Sequence, residues 1–444
     1  MSIFDRLFRK KSELSENNPN ISFGRFSDSY KQTRQYDAWD IALEKFKKED
    51  YLESCEAFLN YLNDEREDNV KHWREDGEIK FEILQGSKVI SGKADKKKIR
   101  VEAKIAKAND LNIAFMRRMV ERNFGLNYSR FGLDNENNIT IVFDSFTLDA
   151  SPYKLYYAIR ELAVNADKHD DLLIDEFDEL QALENNHLID LSEKEKSVKF
   201  DFIIDKIESV LADIENGKLN ANQYPGGISY LLLDLIYKLD FLTKPEGFMM
   251  EALERMNRLF FAKDGKSAEQ KNMILQKEMK ALVERSKEEY FKEMYRVKTT
   301  FGITSPVTHE RVSGLIDEVL HHMDWYNEND HENVALAISG YIVGNCLFNY
   351  AVAKPIKELY TLYYGIVEPE YFHQLGFESD FYNSSNNSFN KKEIKASIKD
   401  IVSKNKKMYP SMAPDLKKLD FKRLSDFTKS FLLMVKDLNL TRAE

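Results

Sequence analysis

The spacing of apolar residues along the chain changes period several times. From Tyr36 it is helical: Trp39, Ala42, Leu43 and Phe46 share one face, and after a turn at Glu49-Asp50 so do Leu52, Cys55, Phe58, Leu59 and Leu62. The period then drops to two. Ile79, Phe81 and Ile83 alternate with polar neighbours, Gln85-Gly86-Ser87 turns the chain, Val89-Ile90 makes a short return strand, and Ile99, Val101, Ala103 and Ile105 alternate again. Period two with one polar face predicts antiparallel strands with one side on a core and the other toward solvent. Next, Asp110 is placed to cap a helix over residues 111–124, with Ile113, Met116, Met119 and Val120 as the inner stripe and Gly125 as the stop. Two strands follow, residues 128–133 and one carrying Ile139, Ile141 and Phe143, joined by the polar turn Asp134-Asn135-Glu136-Asn137. Ser151-Pro152 then opens a helix carrying Leu155, Tyr156, Ile159, Leu162, Ala163 and Ala166, which the acidic stretch at 167–171 ends or kinks.

Beyond residue 190 the pattern is almost wholly helical. Phe200, Ile203, Ile204, Ile207 and Leu211 mark one helix, and breaks fall at Tyr224-Pro225-Gly226-Gly227 and Lys244-Pro245. Residues 267–297 read as one long charged helix with a narrow stripe of Leu275, Met279, Leu282, Tyr290, Met294 and Val297. Ser305-Pro306 repeats the cap-plus-proline start, residues 334–348 form the most apolar and central helix, and residues 383–388 form a loop. The expected organisation is a tail and linker over 1–35, an α+β domain over 36–185 with a leading helical hairpin, and an all-α domain over 196–444. The α+β domain is expected to be an antiparallel sheet with flanking helices in α-β-β-β-α-β-β-α order.

Composition narrows the functional classes. A hydrophobic content of 43% supports packed cores, and 65 Lys+Arg against 75 Asp+Glu leave a net charge of −10. That sign works against nucleic-acid phosphates, so no nucleic-acid partner is expected. The two cysteines, Cys55 and Cys346, each sit in an apolar helical pattern and read as buried thiols in a reducing compartment. Ile3, Phe4, Leu7 and Phe8, beside Arg6, Arg9, Lys10 and Lys11, suit a frayed terminal helix better than a membrane anchor and lack the apolar centre of a secretory signal. No apolar run is long enough to span a membrane. The expected location is the cytoplasm.

Candidate chemistry is sparse. There is no glycine-rich phosphate loop, paired CxxC, HExxH or Gly-x-Ser-x-Gly element, and no cofactor is expected. His321, His322, Asp324 and His331, with His309-Glu310 upstream, could hold a divalent metal if they converged. His321 and His322 are adjacent, however, and diverge by about 100° on a helix, so no metal site is assigned. Asp167, His169, Asp170 and Asp171 form a second polar group without a nucleophile, best read as a solvated helix end, and the acidic run at 175–179 has the same explanation. Lys96-Lys97-Lys98 with Arg100 reads as a solvated strand mouth. Tyr360, Tyr363, Tyr364, Tyr371 and Phe372 cluster around Pro369, which suits core packing more than a peptide groove.

Trp39-x2-Ala42-Leu43-x2-Phe46 followed by Cys55-x3-Leu59 resembles one tetratricopeptide-type helix pair, without a tandem copy. The order helix, three strands, helix, two strands, helix resembles type III secretion chaperones and the related YbjN-like domains. Its carriers are Leu111-Asn112, Phe131-Gly132-Leu133-Asp134, the strand over 138–146, and Leu148 and Pro152 leading into Leu155, Ala158, Leu162 and Ala166-Asp167. The resemblance covers less than a third of the chain, and the lysine-rich segment 87–98 departs from it. It implies binding without covalent chemistry: a protein or peptide partner held along apolar grooves or sheet edges, often on a homodimer. On that basis Phe81, Ile83, Phe131, Ile141 and Phe143 are the expected partner-binding residues. The alternatives are a helical scaffold acting through the second half and a metal-dependent enzyme using His321, His322 and His331.

Overall fold

The computed structural model describes residues 19–443 except positions 110, 178, 184, 185, 218, 221 and 222. The basic start at 1–11 and the expected cap Asp110 therefore lie outside the described residues. The chain forms two compact units. An α+β unit comprises Phe26–Asp190 and Tyr295–Ile303, and a helical unit comprises Leu191–Met294, the chain from Thr304 onward and the described residues up to Arg25. The helical unit thus starts its main run at Leu191, while Tyr295–Ile303 belongs to the α+β unit and the described residues up to Arg25 to the helical one.

In the α+β unit, α1 (Thr33–Lys47) and α2 (Tyr51–Leu62) form the expected hairpin. At their close crossing Ser54 Oγ donates to the Ala42 carbonyl at 2.8 Å, and Trp39 packs on Phe58 and Tyr61. Four strands follow, β1 (Val70–Glu75), β2 (Glu78–Gln85), β3 (Lys88–Ala94) and β4 (Lys98–Ala108), where three were expected. The pattern missed β1 because an edge strand needs little apolar content, and only Val70 of it is buried. Then come α3 (Ile113–Asn123), β5 (Arg130–Leu133), β6 (Asn138–Phe146), α4 (Pro152–Glu176) and β7 (Leu180–Ala182). Ser151 caps α4 as expected. The helix does not end at 167–171, and Asp167 instead accepts the Ser87 backbone N–H at 2.8 Å.

The sheet runs β1-β2-β3-β4-β6-β5 with every neighbour antiparallel, and β7 pairs with the far end of β4. Two cross-strand rows define its inner side. One is Phe81–Gly92–Val101–Phe143, and the other is Ile83–Ile90–Ala103–Ile141–Phe131. Leu155, Ala158, Ile159 and Leu162 of α4 pack over these rows. Tyr295–Ile303 joins this unit through buried polar bonds: Gln85 Oε1 accepts the Phe301 N–H at 2.9 Å, and Thr300 Oγ1 donates to the Leu84 carbonyl at 2.8 Å.

The helical unit contains α5 (Glu193–Asn216), α6 (Pro225–Thr243), α7 (Gly247–Phe261), α8 (Ala268–Glu284), α9 (Lys287–Lys292), α10 (His309–Val319), α11 (His322–Glu328), α12 (Glu332–Asn349), α13 (Lys354–Val367), α14 (Pro369–Leu375), α15 (Lys391–Asn405) and α16 (Leu424–Lys436). The long helix expected over 267–297 is broken. Ser286 starts a new one with a capping box to Glu289, a signal the stripe of apolar residues overrode. Ser305-Pro306 is a short strand beside Tyr350–Ala351 instead of a helix start, and residues 383–388 turn a small hairpin. Tyr360, Tyr363, Tyr364, Tyr371 and Phe372 are all buried, which is the core reading.

Helices α6 and α12 cross at the centre of this unit, beside a buried group of charges. Lys238 Nζ lies 3.1 Å from Asp234 and 3.0 Å from Glu368, and Lys206 Nζ lies 2.5 Å from Glu368. Burial opposes the charge on Glu368, but the two ammonium groups outweigh it and hold the carboxyl below its ordinary value. At Asp234 burial wins and pushes the carboxyl up. Asp234 fits only because α12 offers Gly340, where a Cβ would stand 2.0 Å from its Oδ1. Alanine in a helix interior is ordinarily about 1 kcal/mol better than glycine. Here Gly340→Ala is expected to reverse that sign and cost about 1–3 kcal/mol through overpacking, read as a lower urea midpoint at unchanged slope.

Candidate functional site

The residues expected to bind a partner are together, but on the covered side. Phe81, Ile83, Phe131, Ile141 and Phe143 fall in the two inner rows and are all buried in the core of the α+β unit. Alternation showed that they share a face. It carries no information on which face the helices cover, and α4 covers theirs. These side chains hold the sheet to its helices and offer no open surface.

The open apolar surface is on α3. Ile113, Met116, Val120 and Phe124 follow one another at spacings of three, four and four, so they line one strip of a helix. Ile113 is 84% exposed, Val120 60% and Phe124 91%, with Leu111 and Tyr128 exposed at the two ends. The inward residues are Phe115 and Met119 instead. The expected inner stripe was therefore correct only at Met119. Helix α3 carries apolar residues on two sides, and a sequence with two candidate stripes does not say which one packs. The signal was present, since Phe115 completes a second, shorter stripe with Met119.

Several contacts fix α3 in place. Asn112 caps it by accepting the Ala114 N–H at 2.7 Å and donates to Glu179 at 2.8 Å. Phe115 meets the Phe177 ring edge-on at 6.2 Å. At the other end Asn123 Oδ1 accepts the Phe131 N–H at 2.7 Å, tying the helix to β5. The Glu161 carboxylate on α4 accepts the backbone N–H groups of Asn127, Tyr128 and Ser129 at 2.8–2.9 Å, which fixes the loop out of α3. Burial opposes its charge, yet these three donors hold its carboxyl below the ordinary value. Arg117 flanks the strip and pairs with Glu121 at 3.0 Å, whereas Arg118 and Arg122 fall on the other side of the helix.

The opposite side of the sheet is polar. Trp73, Lys80, Glu82, Ser91, Lys93, Arg100 and Glu102 line a shallow depression of about 420 Å³. Within it Arg100 lies 2.9 Å from Glu102, and Lys80 reaches out to Glu75 at 2.5 Å. The Lys96-Lys97-Lys98 turn is organised by Asp95, which accepts the backbone N–H groups of Lys97 and Lys98.

The histidines separate into different environments. His322 Nδ1 lies 2.9 Å from the Tyr230 hydroxyl, the His321 ring lies beside His322, and His331 stacks near Trp325. His309 contacts the Lys436 carbonyl. Asp324 pairs with Lys429. Among the described residues no group of three His, Cys, Asp or Glu is placed to hold a metal ion. Cys55 and Cys346 are free and buried, and burial pushes both thiols up to about 12. No described helix is long and apolar enough to cross a membrane.

His169 is a buried residue against Phe131, with ring centroids 5.5 Å apart; the side chains of Asp170 and Asp171 lie outside the described residues. Burial, reinforced by Arg122, Lys168 and Arg118, pushes its imidazole down to about 4. A lowered folded-state value means that its contribution is fully present above the ordinary value of 6.5 and is lost as pH falls toward about 4. The α+β unit is expected to lose up to about 3 kcal/mol over that window, and His169→Phe to flatten the slope in urea titrations at stepped pH. Glu161 loses its contribution at lower pH, below the ordinary carboxyl value. No family model and no curated protein matches the chain.

Proposed function

We propose that the chain is a protein-binding molecule of the secretion-chaperone or YbjN-like kind, acting by non-covalent capture of a partner segment on α3. The observation that supports it is the outward strip of Ile113, Met116, Val120 and Phe124 on a helix whose inner side is already satisfied by Phe115 and Met119. Contiguous exposed apolar surface rimmed by polar residues marks sites of protein association. An amphipathic partner helix is the natural complement, meeting the strip with apolar residues at similar spacing.

The strip is rigidly presented. Asn112, Asn123 and Glu161 fix both ends of α3, so little ordering cost falls on this side of the contact. A second copy of the chain is another apolar partner, and the oligomeric state separates the two cases.

A photo-reactive residue at Val120 is expected to crosslink a partner protein in cells, while one at exposed Lys71 on the sheet is not. Val120→Asp with Phe124→Asp is expected to weaken capture at least about tenfold while moving the melting midpoint little, because exposed substitutions change stability by about 0.5 kcal/mol. Absence of any Val120 adduct, with unchanged apolar-dye binding in the double variant, would count against the reading. An adduct of the chain with itself, matched by a dimer in light scattering, would reassign the strip to self-association.

A further inference from the structure

Rings from three helices of the α+β unit meet in one cluster. Trp39 of α1 packs on Tyr61 of α2 at 4.7 Å and meets Tyr153 of α4 edge-on at 5.0 Å. Tyr61 continues to Tyr156 at 6.4 Å, and Tyr156 meets Tyr157 edge-on at 5.5 Å. Tyr36 stands one turn before Trp39 on α1. The inner rings belong to the packing of the hairpin on α4, but the outer ones are open. Tyr36 is 49% exposed, Tyr153 56% and Tyr157 54%. Exposed tyrosine offers a large, stiff contact area at little entropic cost and is enriched where proteins bind partners.

The charges around this cluster leave a negative remainder. Lys31 Nζ lies 4.9 Å from the centre of the Tyr61 ring, with Asp28 and Asp64 acting on its charge. Arg34 pairs with Glu65, Lys154 donates to the Ser145 hydroxyl, and Arg160 donates to the Gly302 carbonyl. The cations near the rings are therefore engaged. Asp37 and Asp40, which neighbour Tyr36 and Trp39 on α1, are both exposed, and among the described residues neither enters an ion pair. Aromatic faces and open carboxylates call for the same complement, a cation. A guanidinium suits both best, since its flat, weakly hydrated group stacks on rings while its N–H groups reach carboxylates. Lys31 over Tyr61 already shows that these rings accept a cation.

We propose that this aromatic surface is a second interaction site, one that takes an arginine-bearing segment of a partner protein. Its guanidinium groups stack on the open tyrosine rings, and Asp37 and Asp40 answer their charge. The surface belongs to α1, α2 and α4, selects charge where α3 selects apolar area, and does not rest on the reading of that strip.

The test uses the full chain labelled with fluorotryptophan, in which Trp39, Trp73 and Trp325 give separate fluorine resonances. The probe is acetyl-Gly-Arg-Gly-Arg-Gly-amide, beside counterparts carrying lysine or uncharged citrulline in place of arginine. Titrated to about 1 mM, the arginine peptide is expected to move the Trp39 resonance and leave the other two in place. The lysine peptide is expected to bind at least about threefold more weakly, and the citrulline peptide at least about tenfold. Asp37→Asn/Asp40→Asn, and separately Tyr36→Ala, are expected to weaken binding at least about fivefold. Because these positions are exposed, the variants are expected to keep the melting midpoint. A Trp39 resonance unmoved by the arginine peptide, or equal binding of the arginine and citrulline peptides, overturns the proposal. So does a Trp39 resonance that moves with chain concentration alone, which makes a second copy the occupant. A Trp39 resonance that moves on Arg6→Glu/Arg9→Glu without peptide overturns it too, by assigning the surface to the chain's own basic start.

Discussion

A sheet of amphipathic strands can bury only the side that something else covers. In this protein α4 covers it, packing Leu155, Ala158, Ile159 and Leu162 against the rows that run through Val101 and Ala103. Much else in the α+β unit depends on that contact. It turns the alternating apolar residues into core, places His169 against Phe131, and sets Glu161 where it can take three backbone N–H groups from the loop after α3. Held by this loop, by the Asn112 cap and by the bond from the Phe131 N–H to Asn123, α3 turns Phe115 and Met119 inward and leaves its longer apolar strip outside.

The helical unit solves a different problem, that of polar groups inside an apolar bundle. Asp234, Lys238, Glu368 and Lys206 are drawn together from α5, α6 and the α13–α14 junction, and each charge has an opposite neighbour. Removing a single partner from such a group strands a buried charge, so the arrangement favours one packing over its alternatives. Asp240 and Glu254 extend the same principle to the guanidinium of Arg25. Both carboxylates are answered by an arginine far away in sequence. Spacing gave no sign of that pairing.

Legibility differed with the kind of interaction. Helix α4 was readable because Ser151-Pro152 is a local start signal and its apolar residues recur at helical spacing. The hairpin of α1 and α2 was readable for the same reason. Strand β1 was not, because one buried valine at a sheet edge leaves no alternation to detect. The break at Ser286 was recorded in a capping box but hidden by a stripe that continues on both sides of it. Phe81, Ile83, Phe131, Ile141 and Phe143 share one face of the sheet, as alternation implies, and α4 covers that face.

By itself the sequence determined the α+β-then-helical order and the sharing of faces, since these follow from local backbone preference and the periods of helix and strand. Tertiary structure alone decided which face of the sheet is covered and which stripe of α3 stays exposed. It also decided that a polar-looking linker carries a buried phenylalanine, Phe23, and a paired arginine, Arg25. The physical reason is common to all three. Burial and charge pairing are properties of what lies opposite a residue in space, and at separations such as Arg25 to Asp240 the chain pattern has no record of it.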